Sequence, residues 1–240
     1  MSTSERKPTY FTKVEDYFNK VDVYSKIVRN NYMFHKEIFS ELESFLEKNY
    51  QGIPFDFLDL GCGNAYFVNQ ALKDTSIKSY TAYDLSTEAI AEAKNNAKVL
   101  KCGTTFIQGD FSSTFLISDS TKKFDVIWSS FALHHLSFQD KERFFKKCFE
   151  SLKDNSYLFL VDIIDDFSSR DKCLQHWKES VELKWTDLNA QDKDYLYDHV
   201  FNYDFPETLE THKQMAKNIG FKTAEKKFQF DSYAYMLFGL

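Results

Sequence analysis

The stretch 54–63, P-F-D-F-L-D-L-G-C-G, constrains this chain more than any other. Phe55, Phe57, Leu58 and Leu60 form an apolar run that stops at Gly61-Cys62-Gly63, and helix-compatible residues begin at Asn64. An apolar run, a glycine turn and a helix start read as a buried strand that hands the chain to a helix. Glycine has no Cβ, so a ligand can lie against the main chain at such a turn. The free N–H groups of the next helix point to the same spot. G-x-G alone also fits an ordinary strand-to-helix turn, so the later strands decide.

A second apolar run, 80–85, contains Asp84, roughly twenty residues past the glycines, the spacing at which a second strand's end reaches a ribose. A third run, 105–108, ends in Gly109-Asp110-Phe111, and a fourth, 124–128, ends in Ser129-Ser130. Polar and aromatic residues thus collect at strand ends, where ligands of open α/β sheets sit. Helical stretches at 64–72, 86–100 and 139–152, then a fifth strand at 157–163 after a turn at 153–155, imply right-handed crossovers and a parallel sheet.

The D-x-G-x-G of Asp59, Gly61 and Gly63, the acid Asp84, the D-F of Asp110 and Phe111, and the F-D-V-I of 124–127 resemble the class I S-adenosylmethionine-dependent methyltransferases of small-molecule type. A dinucleotide fingerprint would carry a third glycine where Tyr66 stands. The likeness spans roughly residues 55–240 and specifies fold and cofactor, not substrate. It implies an α/β, Rossmann-like, seven-stranded, mostly parallel sheet with an antiparallel last strand and helices on both faces. It also implies S-adenosyl-L-methionine as cofactor and S-adenosyl-L-homocysteine as product. On this footing Asp84 accepts from the ribose hydroxyls, and Gly61, Cys62, Gly63 and Asn64 bring the turn against the cofactor. Asp59 accepts from the cofactor amine or from turn amides. Leu85, with Ser86 beside it, lines the ribose or adenine, and Asp110 and Phe111 take the adenine. Ser129 and Ser130 lie at the sulfonium end, and Arg29 pairs with the methionine carboxylate.

Helical spacing before the first strand predicts helices near 24–30, capped by Asp22, and 32–49. The family likeness makes residues 1–50 a disordered tip (1–9) and a lid, with Tyr17 and Tyr24 near substrate, and 51–240 the methyltransferase domain of a single structural unit. After strand five the alternation breaks. Residues 165–205 are charged and aromatic, and a bare loop of that length is improbable in a compact domain. Two helices, 169–185 and 191–202, are expected there as a substrate-covering insert, with His176, Trp177, Trp185 and Tyr203 facing substrate. Pro206 then opens a helix to 219, ended by Gly220, before a closing hairpin.

His134 and His135 follow the fourth strand and are candidate general bases, since histidine titrates near neutral pH. Asp162, Asp165 and Asp166 cluster near strand five, but the fourth strand offers no acid, so no metal is expected. Nucleobase-amine methyltransferases commonly carry Asn/Asp-Pro-Pro-aromatic where this chain has Ser129-Ser130-Phe131-Ala132, which argues against that substrate class. A net charge of −6 with scattered Lys and Arg gives no phosphate-binding face, so no nucleic acid is expected. No apolar run reaches the ~20 residues of a membrane helix. The four cysteines form no C-x-x-C pair, so zinc and redox motifs are unsupported. A cytoplasmic enzyme methylating O or N of a small molecule is the leading expectation. Methylation of a protein or RNA partner, or cofactor binding without catalysis, are the alternatives. The sequence gives no oligomeric state.

Overall fold

The computed structural model describes residues 21–167 and 169–240. Tyr17 and the expected disorder of 1–9 lie outside the described residues. Helices α1 (Val21–Arg29) and α2 (His35–Tyr50) precede the sheet. Asp22 lies inside α1, which begins one residue earlier. The chain then alternates: β1 (Phe55–Leu60), α3 (Tyr66–Leu72), β2 (Ile77–Asp84), α4 (Thr87–Asn96), β3 (Gly103–Gln108), β4 (Phe124–Ser130), α5 (Phe138–Ser151) and β5 (Leu152–Ile163). The insert supplies α6 (Arg170–Lys184) and α7 (Ala190–Tyr203), followed by α8 (Leu209–Ile219), β6 (Thr223–Phe230) and β7 (Tyr233–Gly239).

The seven strands form one sheet in the order β3-β2-β1-β4-β5-β7-β6. β1 pairs in parallel with β2 on one side and β4 on the other, while β7 runs antiparallel to both β5 and β6. The expected seven-stranded Rossmann-like sheet with a reversed last strand is therefore present. The strand order reverses between β1 and β4, and this places the ligand crevice at their carboxyl ends.

Both faces of the sheet are covered because its strands are apolar at successive positions. Phe55, Phe57, Tyr80, Val126 and Trp128 pack with Ile38, Leu42, Val68 and Ala93 of α2, α3 and α4. Their neighbours Leu58, Leu60, Ile127 and Leu158 pack with Phe144, Phe145, Met215 and Ala216 of α5 and α8. A strand buried on both faces reads as a near-continuous hydrophobic run. A third cluster lies past the carboxyl end of β5, where Ile27 of α1 meets Leu174, Trp177, Val181, Leu196 and Val200 of the insert.

Local chemistry sets several boundaries. Asn189 and Asp192 form a reciprocal capping box at the start of α7. Thr208 caps α8 through Thr211 N, so Pro206 stands outside that helix and does not open it. The expected turn at 153–155 is a bulge within β5: Phe124 pairs with Leu152 and Val126 with Tyr157, and Asn155 takes φ 56°. From the bulge, Lys153 reaches Asp56 at 2.8 Å and Asp125 at 2.6 Å, a reach across strands that turn propensity does not register.

Phe144 is fully buried between α5 and the sheet. Phe144→Ala is expected to lower unfolding free energy by about 3–5 kcal/mol, read as a fall in the urea midpoint with unchanged slope.

Candidate active site

A continuous hollow opens at the carboxyl ends of β1, β2 and β4 and runs beneath α1, α6 and α7. Gly61 and Gly63 both border it but do different work. A Cβ on Gly61, whose φ is 79°, would meet Ala132 Cβ at 2.6 Å, so this glycine lets β1 close on the turn after β4. A Cβ on Gly63, at φ 52°, would meet nothing within 4 Å, and the space it would fill is the hollow itself. Asp84 binds the two turns together: Oδ2 accepts from Gly63 N at 2.7 Å and Oδ1 from Ser86 N at 2.9 Å. Burial pushes its carboxyl above the usual range, against the pull of the Ser86, Gly63 and Leu85 amides.

Asn64, Leu85, Asp110, Phe111 and Ser130 share this wall. The Asp110 carboxylate accepts from Ser112 N at 2.9 Å and from the Ser112 hydroxyl. Four predicted cofactor contacts are not on the wall. Ser129 is buried and donates to Leu60 O at 2.9 Å, joining β4 to β1. Ser86 caps α4 by accepting from Ala89 N. Cys62 turns its Sγ to Gly63 O. Asp59 lies behind the turn and accepts from Tyr80 Oη at 2.6 Å, not from turn amides, while its Oδ1 has no partner among the described residues. Burial, relieved in part by Tyr80, raises the Asp59 pKa to about 7.

Arg29 also departs from expectation. It points to solvent and pairs with Asp187 at 2.6 Å, while Lys26, one turn earlier, pairs with Asp192 at 2.8 Å. These contacts fasten α1 to the insert. Tyr24 does border the hollow. Its hydroxyl meets Nε2 of buried His35 at 3.2 Å, and burial, then Asp84, pushes it up to about 12. Burial holds His35 neutral by lowering its pKa to about 4.

The far end is aromatic. Phe131, Trp177, Trp185 and Tyr233 face the hollow, and Trp177 Nε1 donates to Tyr233 Oη at 2.8 Å. His176, predicted here, lies outside: it is half exposed and 3.7 Å from Asp231. Tyr203 is not on the wall either, and its ring packs on His199. Helical periodicity explains His176, since α6 presents Trp177 inward and its neighbour outward.

His134 and His135 do border the hollow, within a cluster that sequence reasoning did not assemble. Asp204, from the end of α7, lies 3.7 Å from His134 Nε2, 3.2 Å from His135 Nδ1 and 3.7 Å from His199 Nε2. The other His134 nitrogen, Nδ1, contacts Asp162 of β5. Phe205 N donates to His134 O at 2.8 Å, and Arg170 Nε donates to Asp204 O at 2.7 Å, so the main chain locks the cluster. Burial alone would keep His134 neutral, but Asp162 and Asp204 outweigh it and raise its pKa. Burial lowers His199 to about 3 despite Asp204. Asp204 and His199 sit in a stretch without a recognisable motif, and the expected helix over 191–202 gave no sign that these two side chains meet His134.

Residues 57–155 match the family model described as "Methyltransferase domain". A carboxy-S-adenosyl-L-methionine synthase of Nautilia profundicola is 22% identical over 215 residues, covering 88% of each chain. An uncharacterized methyltransferase of Bacillus cytotoxicus is 29% identical over 159 residues, covering 65% of this chain and 70% of its own. Among solved structures, the plantazolicin methyltransferase BpumL, in complex with a monoazolic desmethylPZN analog and SAH, aligns with TM-score 0.64 at 16% identity over 95% of this chain and 96% of its own. Fold and strand-end crevice define a nucleoside-binding α/β enzyme. With the family match, residues 57–155 are a methyltransferase domain, set in a chain whose fold is that of the class I S-adenosylmethionine-dependent enzymes. The open cradle at Gly63 and the carboxylate of Asp84 on one wall fit that cofactor. No helix among the described residues is long and apolar enough to cross a membrane.

The raised Asp59 pKa has a signed consequence. Between the ordinary carboxyl value of 3.8 and about 7 the folded state holds a proton that the unfolded state has lost. Its stabilising effect is complete below 3.8 and lost as pH rises through 7. In cofactor-free protein, Asp59→Asn is expected to flatten the stability profile and to gain roughly 2–4 kcal/mol on wild type between pH 4 and pH 8. Urea denaturation across that range checks it, and parallel profiles for the two proteins would contradict it.

Proposed function

We propose that this enzyme moves the methyl group of S-adenosylmethionine to an oxygen or nitrogen of a small molecule held beneath the insert. The observation that carries this reading is the continuity of the hollow, from Gly63 and Asp84 to the aromatic wall and the histidine corner. Asp84 accepts from the ribose hydroxyls, Asn64 and Gly63 give backbone approach, and Leu85, Asp110 and Phe111 border the adenine. Ser130 stands nearest the sulfonium end. Residues 51–240 act as the methyltransferase unit, residues 165–205 as the cover over substrate, and the helices before β1 as a lid. Trp177, Trp185 and Tyr24 give the substrate an apolar, ring-accommodating wall.

Methyl transfer is an in-line displacement, so the protein's first task is alignment. The acceptor's lone pair forms the new bond to the methyl carbon as the carbon–sulfur bond breaks, and the electrons of the broken bond stay on sulfur as a lone pair. The O–H or N–H proton leaves at the corner formed by His134, His135, His199 and Asp204. Net acidity and the cover over the hollow favour a metabolite over a protein or RNA partner. A second reading has one observation behind it. The relative matched over 88% of both chains is a carboxy-S-adenosyl-L-methionine synthase, and on that reading the hollow holds a second, carboxylate-bearing substrate that supplies a carboxyl group to the cofactor.

Calorimetry with S-adenosylmethionine should show single-site binding, weakened about tenfold in Asp84→Asn, the ~1.4 kcal/mol expected for one charge-assisted contact. Arg29→Ala should bind like wild type. Incubation of labelled cofactor with a metabolite extract, followed by mass spectrometry, separates the two readings. Label in a small-molecule product supports methyl transfer, whereas a carboxylated cofactor supports the second. His135→Ala should lower turnover at least 100-fold, about 2.7 kcal/mol in the transition state, with cofactor affinity kept.

A further inference from the structure

We propose that His134 Nε2, His135 Nδ1 and the Asp204 carboxylate bind one divalent transition-metal ion at the acceptor end of the hollow. The three side chains each offer a ligand atom, all within 4.8 Å of one another. Two donors bound to one ion at ~2.0–2.2 Å lie about 3.0–3.5 Å apart in tetrahedral or octahedral geometry. Asp204 is 3.2 Å from His135 Nδ1 and 3.7 Å from His134 Nε2. The longer spacing exceeds a hydrogen bond but suits ligands waiting on either side of a cation.

The surroundings resemble the outer shell of a metal site. Asp162 holds Nδ1 of His134, which leaves Nε2 to present a lone pair. Carboxylate–imidazole–metal chains fix ring orientation in this way and raise ligand basicity. The ligands are preorganised by backbone links: Phe205 N to His134 O at 2.8 Å, and Arg170 to the carbonyls of Asp204 and Phe201. Asp204 is 2% exposed and His134 5%, so water competes poorly. His199 Nε2 stands 3.7 Å from Asp204, beside the triad. Two imidazoles and one carboxylate with open positions suit zinc, iron, cobalt or nickel better than magnesium or calcium, which prefer all-oxygen shells.

The ligands border the same hollow as the aromatic wall, so the open positions face the substrate. The ion's catalytic part rests on the methyltransferase reading above: it would hold the acceptor heteroatom and acidify it as a Lewis acid. Acceptors that offer two donor atoms to one metal, such as a hydroxy acid or a catechol-like diol, fit best.

The test needs no substrate. Untagged full-length protein, stripped with chelator, is dialysed against Zn2+ or Co2+ and its metal content measured. Co2+ also reports its coordination through its visible spectrum. One equivalent bound, with at least 100-fold weaker binding in Asp204→Asn and in His135→Gln, is the expected result. No stoichiometric binding, or binding that survives both substitutions, overturns the proposal. S-adenosylmethionine affinity of the same variants, measured alongside, shows that they are folded. If metal binds but no cofactor does, the methyltransferase reading fails and the metal site stands. If cofactor binds and no metal does, the reverse holds.

Discussion

One carboxylate holds the cofactor end together. Asp84 ends β2, yet its two oxygens accept main-chain N–H groups from the turn after β1 and from the start of α4. Both turns would otherwise carry unpaired amides at a cavity wall, where an unsatisfied donor costs about 1–3 kcal/mol. The clasp fixes Gly63, while Gly61 N and Cys62 N donate to Tyr83 O at 2.9 and 3.0 Å, so β2 holds the whole turn. Burial raises the pKa of Asp59 and of Tyr24, and the charge of the same carboxylate adds to both shifts. Its influence therefore extends from the strand interior to the roof.

The sheet was largely legible in the sequence because its central strands are buried on both faces and its helices are not. Runs such as 55–60 and 124–130 stand out against amphipathic neighbours, and alternation then dictates parallel order. Boundaries were less legible where long-range contacts overrule local propensity. The Lys-Asp-Asn stretch at 153–155 has turn composition, but it is held in β5 as a bulge by Lys153 reaching Asp56 and Asp125. Pro206 looks like a helix opener, but Thr208 makes the side-chain bond that starts α8.

At the site, the contacts carried by strand ends were easier to read than those carried by helices. Gly63, Asp84, Asp110 and Phe111 sit at fixed distances from apolar runs, so their convergence follows from the sheet. Arg29, His176 and Tyr203 are on helices, where a shift of one residue turns a side chain about 100°; each faces away from the hollow. Asp204 could not be found from sequence at all. Its meeting with His134 depends on a main-chain bond between residues that local patterns do not connect.

β7 lies between β5 and β6 and is buried along its whole length. A nascent chain therefore makes β5 long before the neighbour that will seal it. While the insert, α8 and β6 are being synthesised, that side of β5 presents open backbone donors and acceptors to the ribosome's surroundings. Such unpaired edges invite association with other chains. The half of the sheet from β3 to β5 can assemble early, but closure must wait for a late, sequence-distant pairing of the kind that slows folding. An open β5 edge during synthesis is the cost of threading the final strand into the interior.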